Sequence, residues 1–366
     1  MKSSNIKYLP AIDHLRGFAA LIIMVYHGIL VFENFFATGA WVDTYNPVYS
    51  MFVEGHTAVS LFMVLSGFIF TVGANGRRID YGGFLRNRFL RIYPLFLSVI
   101  AAGIYFYPKH VSIAGFLKTV FFYSYAADAL NLGPFSSLFW TISVEFQFYL
   151  IFPLIFYLMR RYGAKSLFIL IGAGFAVKLL CVYKLGYTAN FISYWTLAGR
   201  IDQFLLGMLA AEIYARGSFD HSRLLIPSAL GVATLIFIYH RLGGWPAQSD
   251  WKLLLPIAEG AAWAAFMLAY THMFTKNTGA VAKAMTFLGE RSYSFYLLHL
   301  VVWFYFYRNG LLIWPFESPL YNSFINSAII VLPSALAVSS VTYALIERPF
   351  LRLRVKYIKP DSPPEA

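Results

Sequence analysis

Apolar runs of about twenty residues recur along the whole chain, and that is the length a helix needs to cross the roughly 30 Å hydrocarbon core of a bilayer. Ten spans are expected: Leu15 to Phe35, Thr57 to Gly73, Arg91 to Tyr107, Phe139 to Met159, Leu167 to Tyr183, Phe191 to Tyr214, Leu224 to His240, Leu253 to Phe274, Phe287 to Tyr307 and Phe324 to Ile346. Period-2 alternation is absent, so backbone hydrogen bonds are met within helices and not in a closed barrel. Of 366 residues, 59% are hydrophobic and only 13% charged, which excludes an ordinary soluble domain. The expected fold is all-α and polytopic, one membrane domain over residues 1–350. A tail over 351–366 follows, first basic (LRLRVKYIKP) and then acidic, Pro-rich and disordered. The apolar stretch Ala114 to Tyr125 is too short to span and reads as an interfacial piece.

The net charge of +12 does not indicate nucleic acid, because Lys and Arg cluster in alternate loops. Lys2, Lys7, Arg77, Arg78, Arg160, Arg161, Arg216, Arg223, Lys276, Lys283 and the tail cations fall on one side, which the positive-inside bias assigns to the cytoplasm together with both termini. The single cysteine, Cys181, excludes an intramolecular disulfide and a Cys-cluster metal centre, and no metal site is expected. The first apolar run is longer than a secretory h-region and is expected to remain in the protein. No internal repeat of the kind that builds many transporters is visible.

Ionisable residues inside a membrane helix are costly and tend to be functional. Arg16 and His27 stand eleven positions apart in the first span, just over three turns, so both face the same way about 16 Å apart along the axis. A rise of about 1.5 Å per residue brings Ser66, Glu145, Arg200, Asp202 and His299 to a depth like that of His27. Such groups must pair or face water, which points to a shared polar cavity. The chemically useful pair is His27 with Glu145: the carboxylate fixes the imidazole tautomer, and the imidazole deprotonates a hydroxyl. A helix-packing hydrogen bond is the plainer explanation of the same two residues.

Arg77, Arg78, Arg86, Arg88 and Arg91 crowd the segment GRRIDYGGFLRNRFLRIYP before the third span, with no lysine among them. A topogenic charge cluster accounts for them. Guanidinium forks also suit bidentate phosphate binding, as a cytosolic donor carrying several phosphates requires.

Six motifs in order, LRGFAALIIMVYH, SLFMVLSGFIF, FLRNRFLRIYP, LFWTISVEFQFYLIFP, GERSYSFYLLH and IERPF, resemble those of the acyltransferase family 3 integral membrane proteins, which O-acylate cell-surface glycans. The resemblance runs from about Leu15 to Phe350. It implies a ten-helix fold that passes an acyl group, often acetyl, from cytosolic acyl-coenzyme A to a hydroxyl, commonly on a sugar, with no bound cofactor. By that likeness Arg16 and His27 are the arginine and histidine of the family's first helix, and Arg88 and Arg91 its arginine pair. Trp140, Ser143 and Glu145 stand in its fourth-helix motif, where Phe146 replaces a second acidic residue. His27 then acts as general base or carries the acyl group itself. Ser66, Trp140, Ser143, Tyr149, His299 and Arg200 are candidates for the acceptor or the oxyanion. The expected partners are acyl-coenzyme A, a carbohydrate acceptor and the bilayer. A peptide, lipid or small-metabolite acceptor, or a transporter of a polar or lipid-linked sugar, would use the same polar core.

Overall fold

A computed structural model describes residues 8–217, 220–276 and 278–360. Lys2, Lys7 and the acidic DSPPEA end, expected to be disordered, lie outside the described residues. The long helices are α1 (Pro10–Phe32), α2 (Ala58–Ala74), α3 (Tyr81–Phe106), α4 (Phe139–Tyr162), α5 (Lys165–Tyr183), α6 (Leu197–Arg216), α7 (Leu225–Arg241), α8 (Leu255–Met273) and α9 (Ser292–Arg308). The last, α10, runs over Pro319–Leu351 and contains two π-turns, Ser327–Val331 and Tyr343–Glu347. The fold is all-α apart from a two-stranded antiparallel ribbon of β1 (Arg77–Ile79) and β2 (Ile358–Pro360).

Among the described residues seven helices, not ten, are long and apolar enough to cross a membrane: α1 to α5, α7 and α10. The three that fall short carry polar groups into the bundle. The expected sixth span breaks at extended Thr196, and α6 then bears Arg200, Asp202, Gln203 and Glu212. Glu259, Tyr270 and His272 lower the hydropathy of α8. The expected ninth span breaks at Arg291 into a short helix, Ala280–Glu290, and the 17-residue α9. The apolar piece near Ala114 forms the eight-residue helix Ile113–Val120, too short to cross.

Burial separates core from rim. In α1 and α2, 78% of the apolar window is buried inside the protein, against 17% in α5, α7 and α10, whose outer faces remain for lipid. Between apolar helices in lipid, close packing of small residues supplies the attraction. The α2–α6 contact is reciprocal: a Cβ on Gly67 would stand 2.0 Å from the Phe204 carbonyl oxygen, and one on Gly207 2.1 Å from that of Val64. Only glycine allows that approach. On the other side of α1, Trp303 Nε1 donates to the Met24 carbonyl (2.9 Å) and Ser323 Oγ to that of Val25 (2.7 Å). These bonds anchor α1 one turn before His27.

Helix α3 begins ten residues before the expected Arg91, because the Asp80 side chain accepts from Gly83 N–H and caps it. Arg88 and Arg91 are therefore three apart on one helical face and are not in a loop. Residues 351–360, expected as a separate tail, pack on the bundle. Asn87 exchanges two hydrogen bonds with the Val355 backbone (2.8 and 2.9 Å), Asp80 N–H donates to the Tyr357 carbonyl (2.8 Å), and Tyr357 and Ile358 are buried.

Candidate active site

Two cavities lie within the bundle. One, of about 250 Å³, is lined by Arg16, Arg88, Arg91 and Arg354, together with Glu145 and Tyr149. The other, of about 310 Å³, is lined by His27 and His56 among the aromatic rings of Tyr26, Trp140, Tyr194 and Trp245. Val59 and Tyr296 line both, so they form the wall between them.

In the arginine cavity α3 supplies Arg88 and Arg91, α1 supplies Arg16, and the segment pinned by Asn87 supplies Arg354. Arg91 is held by Glu347 (2.6 Å), whose other oxygen accepts from Ser294, and it lies over the Tyr293 ring. The second π-turn of α10 places that carboxylate. Arg16 contacts Asp13 at 3.4 Å. Among the described residues Arg88 and Arg354 have no carboxylate partner, and the Nε of each is buried without a hydrogen bond. Arg88 is sandwiched by the rings of Phe70, Phe84 and Tyr149, 4.8 to 5.7 Å from its guanidinium carbon. Burial, and then Arg88 and Arg91 beside it, push the Arg354 pKa below its ordinary value. Two half-buried guanidinium groups that lack carboxylate partners are chemically suited to an anion with several oxygens.

In the aromatic cavity His27 Nδ1 lies 2.9 Å from His299 Nε2. His299 Nδ1 lies 2.7 Å from the Tyr296 carbonyl oxygen, which can only accept. His299 therefore carries its proton on Nδ1 and presents a lone pair to His27 Nδ1–H. The His27 proton is then fixed on Nδ1, and Nε2 is left as the basic nitrogen. This chain of carbonyl, imidazole and imidazole does for His27 what a carboxylate does elsewhere.

The expected His27–Glu145 pair does not form. Glu145 accepts from Ser66 (3.0 Å) and from Tyr149, in the arginine cavity. The Ser66 hydroxyl is directed to that carboxylate and lines the arginine cavity, not the cavity of His27. Ser143 bonds Ser124 and the Phe139 carbonyl and lines neither cavity. Arg200 is not paired with Asp202: it reaches Ser60 (3.0 Å), Glu259 (3.4 Å) and the Tyr194 carbonyl (3.0 Å), beneath the aromatic cavity, while Asp202 pairs with Lys178. Trp140 does line the aromatic cavity, tilted against the Tyr194 ring and edge-on to Trp195. Arg77, Arg78 and Arg86 line neither cavity, because Arg77 and Arg78 are in β1 and Arg86 turns to the Leu353 carbonyl. Sequence reasoning missed Arg354, which sits in a run of tail cations, and Glu54 and His56, which carry no periodic signal. His299 was expected at the depth of His27 as an acceptor or oxyanion candidate, and the structure sets it against His27 itself. Among the described residues no three His, Cys, Asp or Glu side chains gather to hold a metal ion.

A family profile described as an acyltransferase domain matches residues 9–344. The chain belongs to this acyltransferase family. Among curated proteins, acyltransferase MdmB of Streptomyces mycarofaciens is 28% identical over 328 residues, 82% of this chain and 80% of that protein. A putative acetyltransferase, ORF330, of Acidianus two-tailed virus is 27% identical, over 81% of this chain and 83% of that protein. The O-acetyltransferase OatA of Staphylococcus aureus is 25% identical over 80% of this chain, which spans 50% of that protein. No solved structure matches. The family member described here is thus an acyltransferase whose long apolar helices are consistent with a multi-pass membrane protein, with an arginine-lined cavity and an aromatic one on either side of Val59 and Tyr296.

Proposed function

We propose that the protein transfers an acyl group, acetyl in the simplest case, from acyl-coenzyme A in the arginine cavity to a sugar hydroxyl in the aromatic cavity. The observation that carries this is the meeting of the two cavities at Val59 and Tyr296, with His27 lining the aromatic side. Arg88 and Arg354, the two guanidinium groups without counter-charges, bind the donor phosphates. Arg16 and Arg91 add charge, and the pantetheine arm runs past Tyr149 and Ser66 to the wall. His27 Nε2 takes the acceptor's hydroxyl proton as the oxygen attacks the thioester carbon, so that the C–O bond forms and the C–S bond breaks. The proton then passes from His27 to the coenzyme A thiolate, which leaves as the thiol. His299 keeps His27 in the required tautomer throughout.

Acyl-coenzyme A is made in the cytosol, and the N-terminal helix start, the α2–α3 ribbon and the C-terminal strand gather at the arginine pole. We place that pole, and both termini, at the cytoplasmic face of the plasma membrane. A chain with both ends at one pole crosses an even number of times, and the charge-bearing interior helices supply the further crossing.

Labelled acetyl-coenzyme A and crude surface glycan, given to membranes containing wild type or His27→Ala at matched expression, test this. Label on glycan in the wild type alone is expected. Equal label in both would remove His27 from the chemistry, and label on the protein itself without acceptor would make His27 an acyl carrier.

A further inference from the structure

Glu54 is fully buried between two imidazoles: Oε2 lies 3.0 Å from His56 Nε2 and Oε1 lies 2.8 Å from His240 Nδ1. Thr44 N–H donates to the other nitrogen of His240, at 3.1 Å, so His240 carries its proton on Nδ1 and donates it to Glu54. Burial opposes ionisation of Glu54, yet the bonds from His240 and His56 hold its carboxyl below the ordinary value. Gly244 closes over the carboxylate so tightly that a Cβ there would stand 2.0 Å from Oε1, and its φ of +54° also requires glycine. This is a built and closed carboxylate, and its effect falls on His56.

A carboxylate only accepts, so His56 donates from Nε2 and its Nδ1 bears a lone pair. His56 is 3% exposed, it lines the aromatic cavity, and among the described residues that Nδ1 has no hydrogen-bond partner. The rings of Tyr26, Tyr194, Tyr239 and Trp245 surround the imidazole at 5.3 to 5.8 Å and fix its plane. An unmet buried acceptor is unfavourable, and a ligand hydroxyl would satisfy it. The Tyr26 ring touches both imidazoles, with centroids 5.0 Å from His27 and 5.6 Å from His56. One cavity thus presents two oriented imidazole lone pairs, on either side of an aromatic ring, among further aromatic faces of the kind that stack on the C–H faces of a pyranose.

From this geometry we infer that His56, oriented by Glu54, binds a second hydroxyl of the acceptor, and that the site selects a polyhydroxylated ring over a ligand with one hydroxyl. His56 is an acceptor-binding residue in this account, and His27 keeps the reacting hydroxyl. The inference rests on the proposed transfer for its biological sense but is read by binding alone.

The test uses the full-length protein in nanodiscs, a methyl hexopyranoside and its singly deoxygenated analogues, and the quenching of Trp140, Trp195 and Trp245 fluorescence as a measure of Kd. In the wild type, one analogue deoxygenated away from the reacting position is expected to bind about tenfold more weakly than the parent sugar. His56→Phe is expected to bring the two to within about twofold. His56→Gln, which offers an amide N–H to Glu54 and a carbonyl to the sugar, is expected to keep most of the difference. Unchanged melting temperature shows that the variants are folded, and His56→Gln serves should His56→Phe not fold. Discrimination retained in His56→Phe, or no quenching by any hexopyranoside, would overturn the assignment. Sugar discrimination without acyl transfer would instead sink the transferase reading and leave this one standing.

Discussion

His27 on α1 and His299 on α9 face each other with Nδ1 and Nε2 2.9 Å apart, and the Tyr296 carbonyl behind His299 fixes the direction of every proton in the chain. A neutral relay of this kind would orient the proposed base without a carboxylate beside it, and an unpaired carboxylate in the membrane is costly. It also frees Glu145 for the arginine cavity.

The relay makes His27 and His299 unequal. His27→Gln removes the base and is expected to lower kcat on the order of a thousandfold, within the usual range for loss of a general base. His299→Phe leaves His27 in place but takes away the acceptor for its Nδ1–H. Its expected cost is about ten- to a hundredfold in kcat, with KM for acyl-coenzyme A unchanged. His299→Gln, which still offers a carbonyl oxygen, should recover part of that loss. Steady-state kinetics of the three variants checks this, and equal rates for Phe and Gln at position 299 would remove the tautomer role.

Donor affinity should depend on Arg88 and Arg354, which lack counter-ions, more than on the neighbouring arginines. Arg88→Ala and Arg354→Ala are each expected to raise the Kd for acyl-coenzyme A about tenfold or more, the loss of one charge-assisted phosphate contact. Alanine at Arg77, Arg78 or Arg86 should change it less than about twofold, since none of these lines the cavity. Isothermal titration at fixed ionic strength decides, because the salt dependence of exposed and buried contacts differs.

The periodicity that marks apolar helices made most of the bundle legible, down to ends within three residues for α4, α5, α7 and α8. It failed where tertiary contacts override it. The α6 and α9 breaks at Thr196 and Arg291 interrupt runs that are continuous in sequence, and the close approach of Gly289 to the Asp13 backbone shows why the chain turns there. For the site, charge in an apolar run drew attention to His27 and the arginine cluster to Arg88, and each of the two lines a cavity. Partner choice was not legible, because depth alone leaves several helices as neighbours. His27 lay level with both Glu145 and His299, and only the fold chooses between them. Arg354 was hidden by its company in a basic tail, since its placement depends on Asn87 and the ribbon, more than 260 residues away in sequence.

Lys252, in the turn between α7 and α8, gives a pH signature. Its ammonium donates to the Trp245 carbonyl (2.8 Å) and to Asn190 (3.3 Å), and burial lowers its pKa to about 8, against the opposing pull of Glu54 and Glu259. The unfolded chain holds that proton up to about pH 10.4. Between these values the unfolded state binds more protons, so stability should rise with pH through the window from about 8 to 10 and lose that slope above it. Lys252→Met has no such proton. The wild-type melting temperature, measured relative to that variant, should therefore increase from pH 8 to pH 10. A constant difference across the range would show that Lys252 is not depressed.

In the proposed transfer the wall of Val59 and Tyr296 separates binding from chemistry, because a donor held by arginines on one side would have to bring its thioester to an imidazole on the other. Val59 is almost fully buried on α2, so Val59→Phe adds volume at the wall itself and should cost about 1 to 3 kcal/mol in stability through overpacking. It leaves Arg88 and Arg354 untouched. The Kd for acyl-coenzyme A is therefore expected to stay within about twofold of wild type while kcat falls about a hundredfold, the effect of holding the reacting atoms about 1 Å out of place. Tyr296→Phe keeps the ring and the backbone carbonyl that orients His299, and should retain most activity. Titration of the donor and single-turnover transfer, measured on the same preparations, separate the two quantities. A normal single-turnover rate with a weakened Kd would mean that Val59 belongs to the donor site and is not a wall, and a normal rate with an unchanged Kd would mean that the wall already stands open in the working enzyme.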